Sequence, residues 1–215
     1  MRNRFDEQLD LLHKKMIEMS AMCEELIAKA SHALLTGDTV LAGQVVSDGE
    51  GISQSEREIE GLCVKLLLQQ QPVAKDLRQI SAALKMVTDV ERIGDQAEDI
   101  AEIIPFLKDH DMEHCEVIRK MAQATIQMVT GSIDAFVRED VVLAEGVIAQ
   151  DDVVDDYFLE MKGLLIDEIA GNPRHGEFAL DLLMISKYFE RIGDHAVNIA
   201  EWVIYSVTGE RRGEA

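Results

Sequence analysis

Apolar residues recur along this chain at alternating steps of four and three. The first stretch runs Phe5, Leu9, Leu12, Met16, Met19, Cys23, Leu26, Ala30 and Ala33, a bundle seam held over four heptads. Gly37-Asp38 then joins a helix end to an N-cap. A second helix is expected over residues 39–70, broken by Pro72, which cannot continue the hydrogen-bond ladder and restrains the residue before it. A third is expected over 75–104, with the seam Ile80, Ala83, Val87, Val90, Gly94, Ala97, Ala101 and Ile104. Pro105 and the polar run Lys108-Asp109-His110-Asp111 end it. The order then repeats, with helices expected over 112–138, 140–171 and 177–207 and a break at Gly171-Asn172-Pro173.

The repetition extends to the letters. An offset of 102 carries Ala33 to Ala135, Asp38 to Asp140, and Val40-Leu41-Ala42 to Val142-Leu143-Ala144. Beyond the second turn the offset is 99, and Glu91-Arg92-Ile93-Gly94-Asp95 becomes Glu190-Arg191-Ile192-Gly193-Asp194. Heptad similarity alone does not repeat such a pentapeptide, so a duplicated three-helix unit is the reading. The fold class is all-α: two tandem three-helix bundles, six long helices in all, with one repeat over 1–108 and the other over 109–215.

Charge narrows the choice of partners. The net charge of −20 repels nucleic acid and anionic lipid, which argues against both as ligands. It fits basic protein partners, bound cations or plain solubility. Cys23, Cys63 and Cys115 are far apart and odd in number, so they form no disulfide framework or thiolate metal site and fit buried free thiols in a reducing cytoplasm. The start of the chain, Met1-Arg2-Asn3-Arg4-Phe5, leads into no apolar signal region, and no stretch is long and apolar enough to span a membrane.

The repeated pentapeptide carries chemistry. Glycine inside a helix costs about 1 kcal/mol against alanine, and close helix contact at Gly94 and Gly193 would offset it. Glu91 and Asp95 lie one turn apart on one face, which Asp99 and Glu102 extend. Counting outward from Pro173 sets Glu190 and Asp194 beside the run Asp151-Asp152-Val153-Val154-Asp155-Asp156, with Asp152 and Asp156 nearest level. The same counting about Pro72 brings Glu91 and Asp95 near Glu50 and Gln54. Carboxylates converging from facing helices suit cations with oxygen ligands, such as magnesium, calcium, manganese or iron. A solvated acidic face, partly paired with Arg92 and Arg191, is the plainer alternative. No histidine follows a glutamate by three, so the Glu-x-x-His of di-iron bundles is missing. His110 and His114 are spaced for a metal but sit in the linker, and His195 either supports the acidic site or is an ordinary helix histidine.

Gln71-Pro72-Val73-Ala74-Lys75-Asp76-Leu77-Arg78, the two pentapeptides and the longer run Glu190 to Glu201 resemble the PhoU family over essentially the whole chain. The resemblance implies a cytoplasmic, non-enzymatic regulator that restrains phosphate uptake and the phosphate-starvation response. It implies partners in the ATPase subunit of a phosphate ABC transporter and a sensor histidine kinase, peripheral association with a membrane complex, and a homodimer. It also implies metal ions (iron, manganese, magnesium or zinc) on ExxxD and DxxxD motifs. Those motifs match Glu91, Asp95, Glu190, Asp194, Asp151 and Asp155, with Asp99, Asp152 and Glu50 as further candidates. The first repeat departs from the pattern, with Ser53 or Gln54 where the second has an aspartate. Two other classes compete with this one: a helical scaffold or chaperone-like adaptor, and a metal-dependent hydrolase.

Overall fold

The computed structural model describes residues 2–69, 73–107 and 115–210, without the side chains of residues 2–4, 69 and 115. The break at Pro72, the repeat boundary at 108/109, the His110/His114 pair and the Cys115 thiol lie outside what is described. Six long helices carry the fold: α1 Arg2–Thr36, α2 Thr39–Gln69, α3 Ala74–Ile103, α4 Cys115–Arg138, α5 Val141–Gly171 and α6 Gly176–Thr208. Expected and observed ends agree within a residue or so, except that the expected start of α4 lies outside the described residues and α3 passes into a 3-10 turn at Ile104–Leu107. Pro105 has no N–H for an α-helical ladder, and the tighter turn keeps Ile104 and Leu107 in the core.

The turn after the first helix of each repeat is closed in the same way. The amide of Asp38 donates to Ala33 O at 3.0 Å, and that of Asp140 to Ala135 O at 2.9 Å. Each aspartate then caps the next helix, with Asp38 Oδ1 accepting from the Leu41 amide and Asp140 Oδ1 from the Leu143 amide, both at 3.0 Å. The left-handed position before the cap is Gly37 at φ 67° in one repeat but Glu139 at φ 53° in the other. Glu139 keeps its side chain for a reason: its carboxylate accepts from Lys75 Nζ at 2.7 Å and from the buried Gln79 Nε2 at 2.5 Å, both on α3. A strained residue at the end of α4 thus ties the second repeat to the first.

Successive helices within a repeat run antiparallel, as Lys15 on Glu58 and Lys29 on Asp48 show for α1 and α2. The helices that join the repeats do the same. Near the start of α3, Arg78 reaches Ser206 O near the end of α6 at 3.5 Å, and the early α1 residue His13 meets the late α4 residue Phe136 edge-on. A pseudo-two-fold axis perpendicular to the helices therefore relates the repeats, passing near Gly94 and Gly193. Helices α1, α3, α4 and α6 make the centre, while α2 and α5 pack, among the described residues, chiefly against their own repeat. One apolar core runs through both bundles, from Leu12 and Met16 of α1 to Phe189 and Ile192 of α6. Cys23 and Cys63 are buried free thiols; Cys23 Sγ donates to Val90 O at 3.3 Å, and burial pushes its pKa up. Among the described residues no helix is long and apolar enough to cross a membrane.

Candidate functional site: the paired acidic faces of α3 and α6

Both helical glycines sit where the flanking helix comes close. A Cβ on Gly94 would stand 2.8 Å from Ile52 Cδ1 of α2. A Cβ on Gly193 would stand 3.3 Å from Asp151 Oδ1 of α5. The missing side chain in the second repeat thus seats a carboxylate against the backbone of α6.

Around Asp151 the charges gather as the spacing anticipates. Burial raises its pKa first, and Asp155, Asp194, Glu190 and Asp152 add to the rise, to about 6. So the DxxxD face of α5 meets the ExxxD face of α6, and the α5 residue opposite is Asp151, one away from the Asp152 that counting from the turn put nearest. Asp152 and Asp155 are exposed, whereas only 14% of the Glu190 side chain is, and Glu190 pairs with Lys187. Lys187 also lies over the Phe158 ring, 5.5 Å from its centre.

In the first repeat the register differs from the counted one by two or three residues. Ile52 packs on Gly94, Glu98 reaches over Gly49, and Glu56 is the α2 carboxylate that feels Glu91. Glu50 is exposed. The buried face of α2 at this height is Gly49, and the next residue is turned about 100° round the helix axis, given 3.6 residues per turn. Asp48 is drawn the other way, to Lys29 of α1 at 2.9 Å.

Each repeat gathers carboxylates, but by a different route. Position 151 of the second corresponds to Gly49 of the first, and Glu98 of the first corresponds to Val197 of the second. In one bundle the outer helix supplies the carboxylate and the inner helix gives way; in the other the roles are exchanged. A Cβ on Gly49 would lie 1.8 Å from Glu98 Oε1, so the carboxylate fills the space the glycine leaves. Burial, then Asp95, Glu102, Asp99 and Glu91, push Glu98 up to about 7. Burial also raises Glu91, with Asp95 second, and raises Asp99, with Glu102 second. Arg92 is bound to Asp95 at 2.8 Å and approaches Glu91 at 3.7 Å, so part of this face is paired within its own helix.

These donors suit a hard cation in kind, being carboxylates from two facing helices. Among the described residues, however, no three His, Cys, Asp or Glu side chains are drawn together as a ready ligand set. A cation would have to pull them inward. The raised acids also fix the sign of a pH effect. An acid with a raised folded pKa holds its proton more tightly folded than unfolded, so its contribution is most favourable below its unfolded pKa and is lost as pH rises through the folded one. For Asp151 and Glu98 that window runs from about 4 to about 7. The metal-free protein is expected to show a falling Tm across it, with a shallower slope in Asp151→Asn and in Glu98→Gln. An equal slope in both variants would assign the effect to the overall charge of −20 instead.

Between α3 and α6 lies a cleft of about 500 Å³. Arg92, Asp95, Glu98, Asp99 and Glu102 of α3 and Arg191 of α6 line it together with the more buried Gln96 and His195. His195 is a bridging group in this structure: its Nδ1 lies 2.9 Å from Asp89 Oδ1 of α3, and Asn198 Nδ2 donates to the same oxygen at 3.1 Å. Across the pseudo-axis the matching position to Asp89 is Tyr188, which feels Asp99 and Arg191 instead. Sequence reasoning missed Glu98, Glu56 and Asp89. The offset of Glu98 against Val197 and of Gly49 against Asp151 was the readable signal for the first of these.

The PhoU domain family matches residues 16–104 and 118–203, one match for each repeat. A phosphate-specific transport system accessory protein PhoU homolog from Clostridium acetobutylicum is 34% identical over 214 residues, covering 98% of this chain and 97% of that one. A homolog of the same name from Pseudomonas aeruginosa is 35% identical over 208 residues, covering 96% of this chain and 86% of that one. The crystal structure of PhoU from Pseudomonas aeruginosa superposes with a TM-score of 0.91 at 35% identity, covering 96% of this chain and 100% of that one. That of the phosphate transport system regulatory protein PhoU from Streptococcus pneumoniae gives 0.88 at 26% identity, covering 96% and 98%.

Proposed function

The chain belongs to the PhoU family, and from that footing we propose that it is a regulatory accessory protein of a phosphate transport system and not an enzyme. It acts by binding. In the cytoplasm it joins the ATPase subunit of a phosphate ABC transporter to a sensor histidine kinase, as a homodimer peripheral to the membrane complex, and it restrains uptake and the starvation response when phosphate is plentiful. The observation that carries this reading is the full-length match in sequence and fold, with the acidic pentapeptide present in both repeats. Exposed apolar residues one heptad apart on α5, Leu159 and Ile166, support a role in which a helix face anchors a partner.

Divalent or iron-type ions belong to the same proposal. In the second repeat Glu190, Asp194, Asp151 and Asp155 would hold the cation, with Asp152 at the edge. In the first repeat Glu91, Asp95 and Asp99 would do so, with Glu98 and Glu56 in the place that Glu50 was expected to take. A bound cation would supply positive charge where carboxylates repel, stiffening each acidic face. For such an ion to regulate, the loaded and empty proteins must differ in affinity for a partner.

The test is capture of purified ATPase subunit and of the kinase's cytoplasmic part from the same cell by this chain. Saturable binding of both, at micromolar concentration or tighter, is expected. Binding of neither would overturn the bridging role, and binding of many unrelated unfolded chains would favour a chaperone-like adaptor.

A further inference from the structure

The outward face of α5 repeats the rhythm of the buried seams. Leu159, Gly163, Ile166 and Ala170 follow one another at steps of four, three and four, and all four are exposed, Leu159 at 60% and Ile166 at 57%. Met161 and Leu165, on the opposite side of the same turns, hold α5 to the core. Glycine weakens a helix relative to alanine, and the molecule itself gives Gly163 no compensation. Unlike Gly94 and Gly193, it is open: a Cβ there would meet nothing within 4 Å. The first repeat carries the same open notch at Gly61 of α2, with Val64 where α5 has Ile166. The flanks differ, for Arg57 stands where α5 has Leu159, and Lys65 where α5 has Asp167.

A second helix laid along this stripe would cover it. From Leu159 to Ala170 the stripe runs about 16 Å, or three turns. Its four-three step accepts knobs from a facing helix, and the notch at Gly163 lets that helix come close. Charge selects which helix. Asp156, Glu160 and Asp167, all exposed and none of them in the metal proposal, border the stripe, against one base, Lys162. A second copy of this chain would set those acids against themselves, and an anionic lipid surface would repel a chain of net charge −20. A helix with an apolar stripe and lysine or arginine along its edges meets both the shape and the charge. We propose that the Leu159–Ala170 face of α5 docks a basic amphipathic helix of a protein partner. The inference rests on the binding role proposed above and gives that role a surface.

The probe is a synthetic helical peptide of about two heptads, with leucine along one seam and lysine on its flanks. It is titrated into the full chain at physiological salt and followed by fluorescence anisotropy, and saturable binding is expected. Gly163→Gln puts a good helix former where nothing stands within 4 Å, so its Tm should be unchanged or higher. The same variant fills the notch and should weaken the peptide about tenfold or more. Leu159→Gln/Ile166→Gln, which leaves the charge alone, should weaken it at least as much. Val64→Gln, at the matching place on α2, should have no effect. Binding that does not saturate, that Gly163→Gln leaves unaltered, or that Val64→Gln weakens equally overturns the assignment. So does a dimer that Gly163→Gln turns into a monomer, which would identify a second copy as the occupant. The same variants, tried on the transporter ATPase subunit and the kinase's cytoplasmic part, separate this surface from the bridging role. Binding of either protein, undiminished in both α5 variants, keeps the bridging role and rejects the surface. Binding of neither, with the peptide still sensitive to Gly163→Gln, rejects the bridging role and keeps the surface.

Discussion

Phe189→Ala is expected to destabilise the whole molecule by about 3–5 kcal/mol, the range for emptying a buried aromatic site. Phe189 is 0% exposed and lies on α6, one of the four central helices. Its surroundings have little freedom to collapse, because α6 is held from three sides by α3, α4 and α5. For a chain of this size each kcal/mol shifts Tm by about 2–4 °C, so a drop of at least about 6 °C follows. The form of the melt matters as much as its midpoint. Since one apolar core includes residues of both repeats, the wild type and the variant should each unfold in a single transition. A variant that melts in two steps, with the first repeat unaffected, would show that the bundles are energetically separate in spite of their shared core.

The second large effect concerns metal content. Protein purified without chelator is expected to carry close to one equivalent of metal, or more, per acidic face. Glu190→Ala/Asp194→Ala should empty the second repeat and leave the first loaded; Glu91→Ala/Asp95→Ala should do the reverse. The driving force is electrostatic. Burial first, and then the neighbouring carboxylates, hold Asp151 and Glu98 at about 6 and about 7, so near neutral pH each face carries a desolvation and repulsion cost that a cation relieves. Binding to the folded state alone would also stabilise it, by about 2.7 kcal/mol at a hundredfold excess over Kd. Element analysis with a thermal melt in added Mn²⁺ or Mg²⁺ reads both effects. Wild type that stays empty and melts unchanged after adding Mg²⁺, Mn²⁺ or Fe²⁺ would reduce the acidic faces to surface chemistry.

Much of this architecture is legible in the letters, and the reason is local. A four-three apolar rhythm specifies helices and their buried stripe, and Gly37-Asp38 specifies a turn whose hydrogen bonds lie within six residues. The duplicated pentapeptide gives away the repeat. Facing residues across a hairpin are harder, because small differences in helix tilt and turn path accumulate along thirty residues. That is why Asp151 was found to within one residue while Glu50 was not the acid facing Glu91. The replacements of Gly49 by Asp151 and of Glu98 by Val197 are readable when the repeats are aligned, but that Glu98 fills the space over Gly49 emerges only once the register is known. The α3/α6 contacts, among them Asp89 with His195 and Asn198, depend on how one repeat lies on the other, which no within-repeat period encodes.

Antiparallel crossing of α3 and α6 about a pseudo-axis is the geometry of a homodimer written into one polypeptide. Two identical copies of a single repeat meeting in this way would be bound by reciprocity: whatever contact one made, the other would make too. Here the obligation has lapsed. Asp89 grips His195 and Asn198 on one side of the axis, while its counterpart Tyr188 faces Asp99 on the other. Fusion lets each half of the junction change alone, so the chain has two distinguishable ends where a symmetric pair would present the same end twice, and a polar assembly can be told which way round to build.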